Sequence, residues 1–292
     1  MTPISRRQWI KAAAFASVVP AIPLAPLASS LNAADEGTDP WHGLKVGVAT
    51  YTLRDLPIEE AIKGVKRVGL KYVSIKNVKN HIDLSHPSEE RKSRAQMFRE
   101  AGLIPLSVGN VSMRTGEADI RKAFEYARDI GVPTIVCAPS LEAIPVLDKM
   151  VKEFDIKLAI HNHGPEDPVW PSPLDILKLV KNLDPRIGCC IDVGHTVRAG
   201  TDVVEAINAV GPRLFNMHIK DLSDFKAKES QVAVGRGQMP VREIFAALAR
   251  INYKGFVDLE YEIHEDDPMP GVIESIAYMR GVLTGMGYHL NS

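Results

Sequence analysis

From Leu44 onward, short β-branched runs alternate with amphipathic segments, and this alternation constrains the fold more than any other feature of the chain. The runs fall at 45–49, 72–75, 104–108, 134–137, 157–160, 188–191, 214–219 and 255–259. Their polarity does not alternate, as expected of parallel strands covered on both faces. The segments between them carry helical stripes with readable ends. Ile58, Ala61, Ile62, Val65 and Val68 follow Pro57, and Ile120, Phe124, Ala127 and Ile130 stop at Gly131. Ser172-Pro173-Leu174-Asp175 opens the stripe of Leu177, Val180 and Leu183. Val241, Ile244, Phe245, Leu248 and Ile251 follow Pro240, and Ile273, Ile276, Met279 and Val282 form the last stripe. Eight strand–helix units in about 250 residues predict a single α/β domain, a (β/α)8 TIM barrel. A doubly wound sheet fits less well, because no Gly-x-Gly-x-x-Gly turn follows the first run.

Residues 1–33 stand outside this pattern. Arg6-Arg7 precede an uncharged stretch at 12–31 and then Ala33-Ala34, which resembles a twin-arginine export signal with cleavage near that pair. Pro20, Pro23 and Pro26 would interrupt a membrane-spanning helix. The expectation is therefore a signal peptide at 1–33, a barrel domain at 44–290, a periplasmic or other extracytoplasmic location, and no stable membrane insertion after cleavage. Twin-arginine systems carry folded proteins, so a metal would be loaded before export.

Charge excludes several partners. The chain has 35 Lys and Arg against 36 Asp and Glu with no long single-sign block, and the signal holds three bases and no acid, leaving 32 against 36. Neither nucleic acid nor an anionic membrane is an expected partner. Cys137 and the adjacent Cys189 and Cys190 make no disulfide framework. Oligomeric state is not legible.

In a barrel of this kind the site lies at the C-terminal strand ends. Those ends read Lys76-Asn77, Gly109-Asn110, His161-Asn162-His163, Asp192-Val193-Gly194-His195, His218-Ile219-Lys220-Asp221 and Glu260-Tyr261-Glu262, with His81 in the loop beyond the second strand. Neighbouring strands are roughly 5 Å apart, so one inward residue from each of four consecutive strands can converge on one ion. His161, Asp192, His218 and Glu260 are the best four, each ending an apolar run where an unmatched polar group is costly. Imidazole and carboxylate together suit Mn2+, Zn2+, Co2+ or Fe2+.

These motifs, taken in order, resemble the xylose-isomerase-like TIM-barrel family of sugar phosphate isomerases and epimerases. Val234-Gly235-Arg236-Gly237 resembles that family's glycine loop. The resemblance implies a divalent metal held by Glu, Asp, His and Glu from the last four strands, the two glutamates also moving protons. Asp192, His218 and Glu260 match, whereas His161 stands where the first glutamate is expected. Glu260 remains a candidate base, with His163 or His195 as the second acid/base group, since imidazole titrates near neutrality. Lys76, Lys220 and Arg198 are candidates to bind substrate hydroxyls or an anionic group, and Trp170 to stack on a sugar ring.

The implied activity is isomerisation or epimerisation of a small carbohydrate, a keto-sugar, through a metal-stabilised enediolate. The same intermediate supports a lyase or hydrolase acting on 3-keto-glycosides, and a non-catalytic periplasmic sugar binder keeps the same barrel. An apurinic endonuclease of the same superfamily fits poorly with a net acidic chain lacking a basic stripe.

Overall fold

Parallel strands close on themselves in the computed structural model, which describes residues 39–114 and 116–287. The eight barrel strands are β1 (Lys45–Ala49), β2 (Tyr72–Ile75), β3 (Ile104–Met113), β4 (Thr134–Pro139), β5 (Lys157–His161), β6 (Ile187–Asp192), β7 (Leu214–Ile219) and β10 (Phe256–Leu259). They run in sequence order around the barrel, with β10 pairing β1 to close it, as the alternation predicts. Between β7 and the following helix, β8 (Asp221–Leu222) and β9 (Gln231–Val232) form a small antiparallel hairpin that the sequence pattern does not announce. The signal-like residues 1–33 lie outside the described residues, and among the described ones no helix is long and apolar enough to cross a membrane.

The helices lie where an apolar stripe needs a sheet to cover. In α1 (Ile58–Arg67) the buried residues include Ile58, Ala61, Ile62 and Val65, the stripe read from sequence. Helix α3 (Glu117–Ile130) ends at Gly131, whose φ of 74° is a left-handed cap that glycine adopts without strain. Helix α5 (Pro173–Val180) starts with the Ser172 hydroxyl accepting from the Leu174 amide. Helix α8 (Val241–Arg250) buries Val241, Ile244, Phe245 and Leu248 of its stripe, whereas α9 (Met269–Met286) is turned from the stripe read in the sequence: Ile276 and Met279 are buried with Val272 and Leu283, and Ile273 is exposed. Helix α2 (Ser88–Glu100) buries only Ala95 and Phe98, too few to form a recognisable period. Helices α4 (Ile144–Phe154), α6 (Val193–Arg198) and α7 (Val203–Val210) fill the remaining crossovers.

Register places the site. His161 pairs with Cys190, Asp192 with His218, and His218 with Asp258. Inward side chains recur every second residue, so Asp192 stands one step above Cys190 and Glu260 one step above Asp258. One layer lower the lumen is unusually polar for a barrel core. There Asn216 Nδ2 donates to Asp258 Oδ1 at 2.9 Å, and Ser107 Oγ to Ser74 Oγ at 2.8 Å, all four residues being fully buried.

Close strand approach depends on glycine at several points, Gly188 and Gly47 among them. A Cβ on Gly188 would lie 2.2 Å from the Arg213 carbonyl oxygen, and one on Gly47 would lie 2.2 Å from that of Tyr72. Backbone is the obstacle in both cases, so relief requires strands to move. Gly188→Ala is expected to lower unfolding stability by about 1–3 kcal/mol, read from the denaturant midpoint; an unchanged midpoint would show that β6 and β7 separate freely.

Candidate metal centre and adjoining cavity

Four strand ends bring their polar groups together. One ligand atom from each of His161, Asp192, His218 and Glu260 lies within 4.8 Å of every other, and all four residues are buried. This is the quartet chosen from the sequence, and its donor chemistry, two imidazoles and two carboxylates, fits a divalent transition metal.

Each side chain is held by its own local structure. Asp192 ends β6 and caps α6, its Oδ1 accepting from the His195 amide at 2.9 Å, which leaves Oδ2 turned to the lumen without a directed hydrogen bond. Asn162 braces the same corner: its Oδ1 accepts from the Asp192 amide at 2.9 Å and its Nδ2 donates to Thr196 Oγ1 at 3.1 Å. Glu260 sits just beyond β10. The Gln231 amide clamps it, donating to the Glu260 carbonyl at 2.6 Å and accepting from the Glu262 amide at 2.9 Å, so the small hairpin fixes the last strand end.

The imidazoles form a connected set. His161 Nε2 lies 2.9 Å from His218 Nδ1, so one of the two nitrogens carries the proton between them. Lys76 Nζ lies 2.8 Å from His218 Nε2, and Glu260 Oε2 lies 3.1 Å from its Nδ1. Burial alone would lower the His218 ring, but the neighbouring Cys190, Glu260 and Asp258 outweigh it and hold the ring well above its ordinary range, so binding a cation there would release a proton. His161 Nδ1 is buried without a partner. Burial pushes the His161 ring well below its ordinary range, so it stays neutral, as a ligand nitrogen must.

Lys220 balances the carboxylates. Its Nζ lies 3.0 Å from Asp192 Oδ2, 3.0 Å from Glu260 Oε2 and 2.6 Å from Glu262 Oε2. Burial alone would raise the Asp192 carboxyl, but the Lys220 ammonium, with the His195 and His161 rings, outweighs it and holds the group well below the usual carboxylate range. Glu260 behaves alike, burial being overcome by His218, Lys220 and Lys76.

A cavity of about 360 Å3 opens above the quartet, lined by Tyr51, Lys76, Asn77, Asn110, His161, His163, His195, His218, Glu260 and Glu262. His163 thus reaches the cavity, where Asn110 Nδ2 donates to its Nε2 at 2.8 Å and Asp167 Oδ2 faces its Nδ1 at 3.4 Å. Burial, reinforced by the neighbouring His195, lowers the His163 pKa. A second cavity of about 340 Å3 shares His195 and Glu262 with the first and is bounded also by Arg198, Lys220, Leu222 and Ile263.

Not every residue read from the sequence reaches the first cavity. Trp170 does not: it is buried and its indole donates to the Pro139 carbonyl at 2.8 Å, so the ring is a structural wedge, not a stacking platform for a sugar. Tyr51 is the aromatic that lines the cavity, with the Arg54 guanidinium over its ring at 4.5 Å. Arg198 borders only the second cavity and pairs with Glu166. The glycine loop is a turn tied to Asp221, whose Oδ2 accepts from the Gly235 and Gly237 amides at 2.9 and 3.0 Å. Tyr51 and Asn77 carry no sequence signal beyond following β1 and β2, Asn110 lies within β3, which runs on past the predicted end at 108, and the closed barrel places the three on one cavity.

Residues 38–282 match the family model described as xylose isomerase-like TIM barrel, and the chain belongs to that family. An uncharacterized protein of Mycobacterium tuberculosis is 39% identical over 70 residues, covering 24% of this chain and 25% of that protein. The inosose dehydratase of Lactiplantibacillus plantarum is 23% identical over 146 residues, covering 44% of this chain and 48% of that protein. The chain thus spans about a quarter to a half of the length of the curated relatives it matches. Among solved structures, the IolI protein with a bound zinc atom superposes with a TM-score of 0.69 at 16% identity, covering 83% of this chain and 99% of that one. The apo 3-keto-D-glucoside 4-epimerase of E. coli superposes with a TM-score of 0.67 at 17% identity, covering 82% and 99%. At these identities the likeness is one of fold.

His81, in the loop beyond β2, is a core residue. It is fully buried outside the cavity, its Nε2 donating to the Leu56 carbonyl at 3.0 Å, and burial pushes it down to about 4. The unfolded ring, near its ordinary 6.5, binds the proton that the folded ring refuses, so its contribution to stability is full above about pH 6.5 and falls by up to about 3 kcal/mol as pH drops to 4. His81→Gln should therefore flatten stability against pH between 4 and 6.5; an unchanged slope would contradict this account.

Proposed function

We propose that this chain is a divalent-metal-dependent isomerase or epimerase of an unphosphorylated keto-sugar, with His163 as the group that removes the proton beside the carbonyl. The observation that carries the reading is the juxtaposition of the buried quartet with a polar cavity lined by imidazoles and Lys76. His161, Asp192, His218 and Glu260 would hold the metal, which when bound polarises a carbonyl and steadies the negative charge left by proton removal.

The chain's own groups divide the remaining work. Glu260, held as carboxylate by Lys220, His218 and Lys76, is a weak base and serves best as a fixed charge. His163 is neutral, reaches the cavity and is oriented by Asn110 and Asp167, so its Nε2 can exchange the Asn110 hydrogen bond for a substrate proton. His195, half-buried on the same cavity, is placed to return a proton, and its Nδ1 meets Arg198 Nη1 at 3.5 Å. Tyr51 offers an apolar face for a sugar ring, and Asn77 and Lys76 offer donors for hydroxyls. The names of the relatives support a sugar-modifying chemistry: one is an inosose dehydratase and another a 3-keto-D-glucoside 4-epimerase.

A second reading, a lyase or hydrolase of 3-keto-glycosides, is favoured by one feature. The second cavity adjoins the first across His195 and Glu262, giving room for a group leaving from the neighbouring carbon. An export signal at 1–33 would suit either reading, since sugar phosphates are mainly cytoplasmic.

Incubation of metal-loaded protein in D2O with a panel of keto-sugars should place deuterium on the carbon beside the carbonyl with no group lost. His163→Gln should slow that exchange by about 10²–10⁴-fold. Absence of exchange across the panel would overturn the isomerase reading, and release of the aglycone from a 3-keto-glycoside but not from its parent would establish the second.

A further inference from the structure

The quartet's composition bears on which metal it takes. Resemblance to the family leads one to expect a glutamate where β5 ends, and this chain has His161 there, its Nε2 2.9 Å from His218 Nδ1. A cation among these four residues would meet two imidazole nitrogens and only two carboxylates. Both carboxylates are already engaged by the Lys220 ammonium at 3.0 Å, which draws negative charge away from the centre. Beneath them the Cys190 sulfur groups with the same two imidazoles, all three donor atoms within 4.8 Å of one another.

We infer that His161 sets the metal preference of this site, turning it toward zinc, cobalt or ferrous iron and away from manganese and magnesium. The inference rests on the reading that the quartet holds a divalent cation. Its chemistry is ligand softness: hard cations depend on anionic oxygen, which this site offers sparingly, whereas borderline cations bind imidazole well. Nearly any nitrogen-containing site prefers zinc to manganese, so the diagnostic quantity is the change in that preference when the imidazole is replaced.

Two measurements on purified full-length protein test the inference. Competition titration of zinc against manganese, read by metal analysis after equilibrium dialysis, should show the zinc-to-manganese affinity ratio falling by about tenfold or more in His161→Glu. His161→Gln should lower zinc affinity more than manganese affinity. A ratio unchanged in both variants would overturn the inference. X-ray absorption of the zinc-loaded wild-type protein needs no substitution and decides the matter if the variants fail to fold: two imidazoles on zinc are expected, and one imidazole would overturn the role of His161 while leaving a metal-binding quartet in place. Wild-type protein that takes up neither ion would instead refute the underlying reading.

Discussion

Asp192 and Glu260 are carboxylates buried at the barrel mouth, where water solvates them poorly, and the rest of the site is arranged around that constraint. An unmatched buried carboxylate takes up a proton instead of remaining charged. Here Lys220 touches both at 3.0 Å, and His218 and Lys76 complete the compensation around Glu260. Removing one partner from a buried charged cluster costs about 3–5 kcal/mol, so these groups stand or fall together. Asp192 Oδ2 takes no well-aligned hydrogen bond and faces the Lys220 ammonium at 3.0 Å, so an arriving cation would share that oxygen with Lys220.

The scaffold delivers this cluster through strand register and three local braces. Parallel pairing puts Asp192 level with His218 and His218 level with Asp258, so successive inward positions rise around the barrel to the same mouth. Helix α6 uses one Asp192 oxygen as its cap and frees the other. Asn162 fixes the backbone from β5, and Gln231 reaches across from the β8–β9 hairpin to secure Glu260. Beneath them, Asn216, Asp258, Ser74 and Ser107 make a polar floor that gives Lys76 a second carboxylate, Asp258 Oδ2, at 3.8 Å. The site is therefore rigid from below and open above, where Tyr51, Asn110 and His163 border the cavity.

Much of this was legible from the residues alone, for identifiable reasons. The barrel followed from eight apolar runs and their intervening stripes, and the quartet from the polar residue ending each of four consecutive runs. Helix α2 escaped because only two of its residues are buried, and the β8–β9 hairpin because two-residue strands carry no period. Trp170 misled because an aromatic near a strand end has two destinations, and the Pro139 carbonyl captured its indole. Tyr51 was hidden for the opposite reason, since long-range closure and not local pattern brings it to the cavity, and Asn110 was read only as a strand end, its bond to His163 being a product of that closure. Lys220 was read as a binder of substrate hydroxyls or an anionic group, yet its three contacts to the protein's own carboxylates make it the counter-ion of the site.

If the four strand ends form one divalent-cation site, that site should be stoichiometric and depend on Asp192. The most direct test is metal analysis of purified wild-type and Asp192→Ala protein prepared side by side, with circular dichroism confirming that both are folded. The account predicts about one equivalent of divalent transition metal in the wild type and almost none in the variant. Full occupancy in folded Asp192→Ala would contradict it.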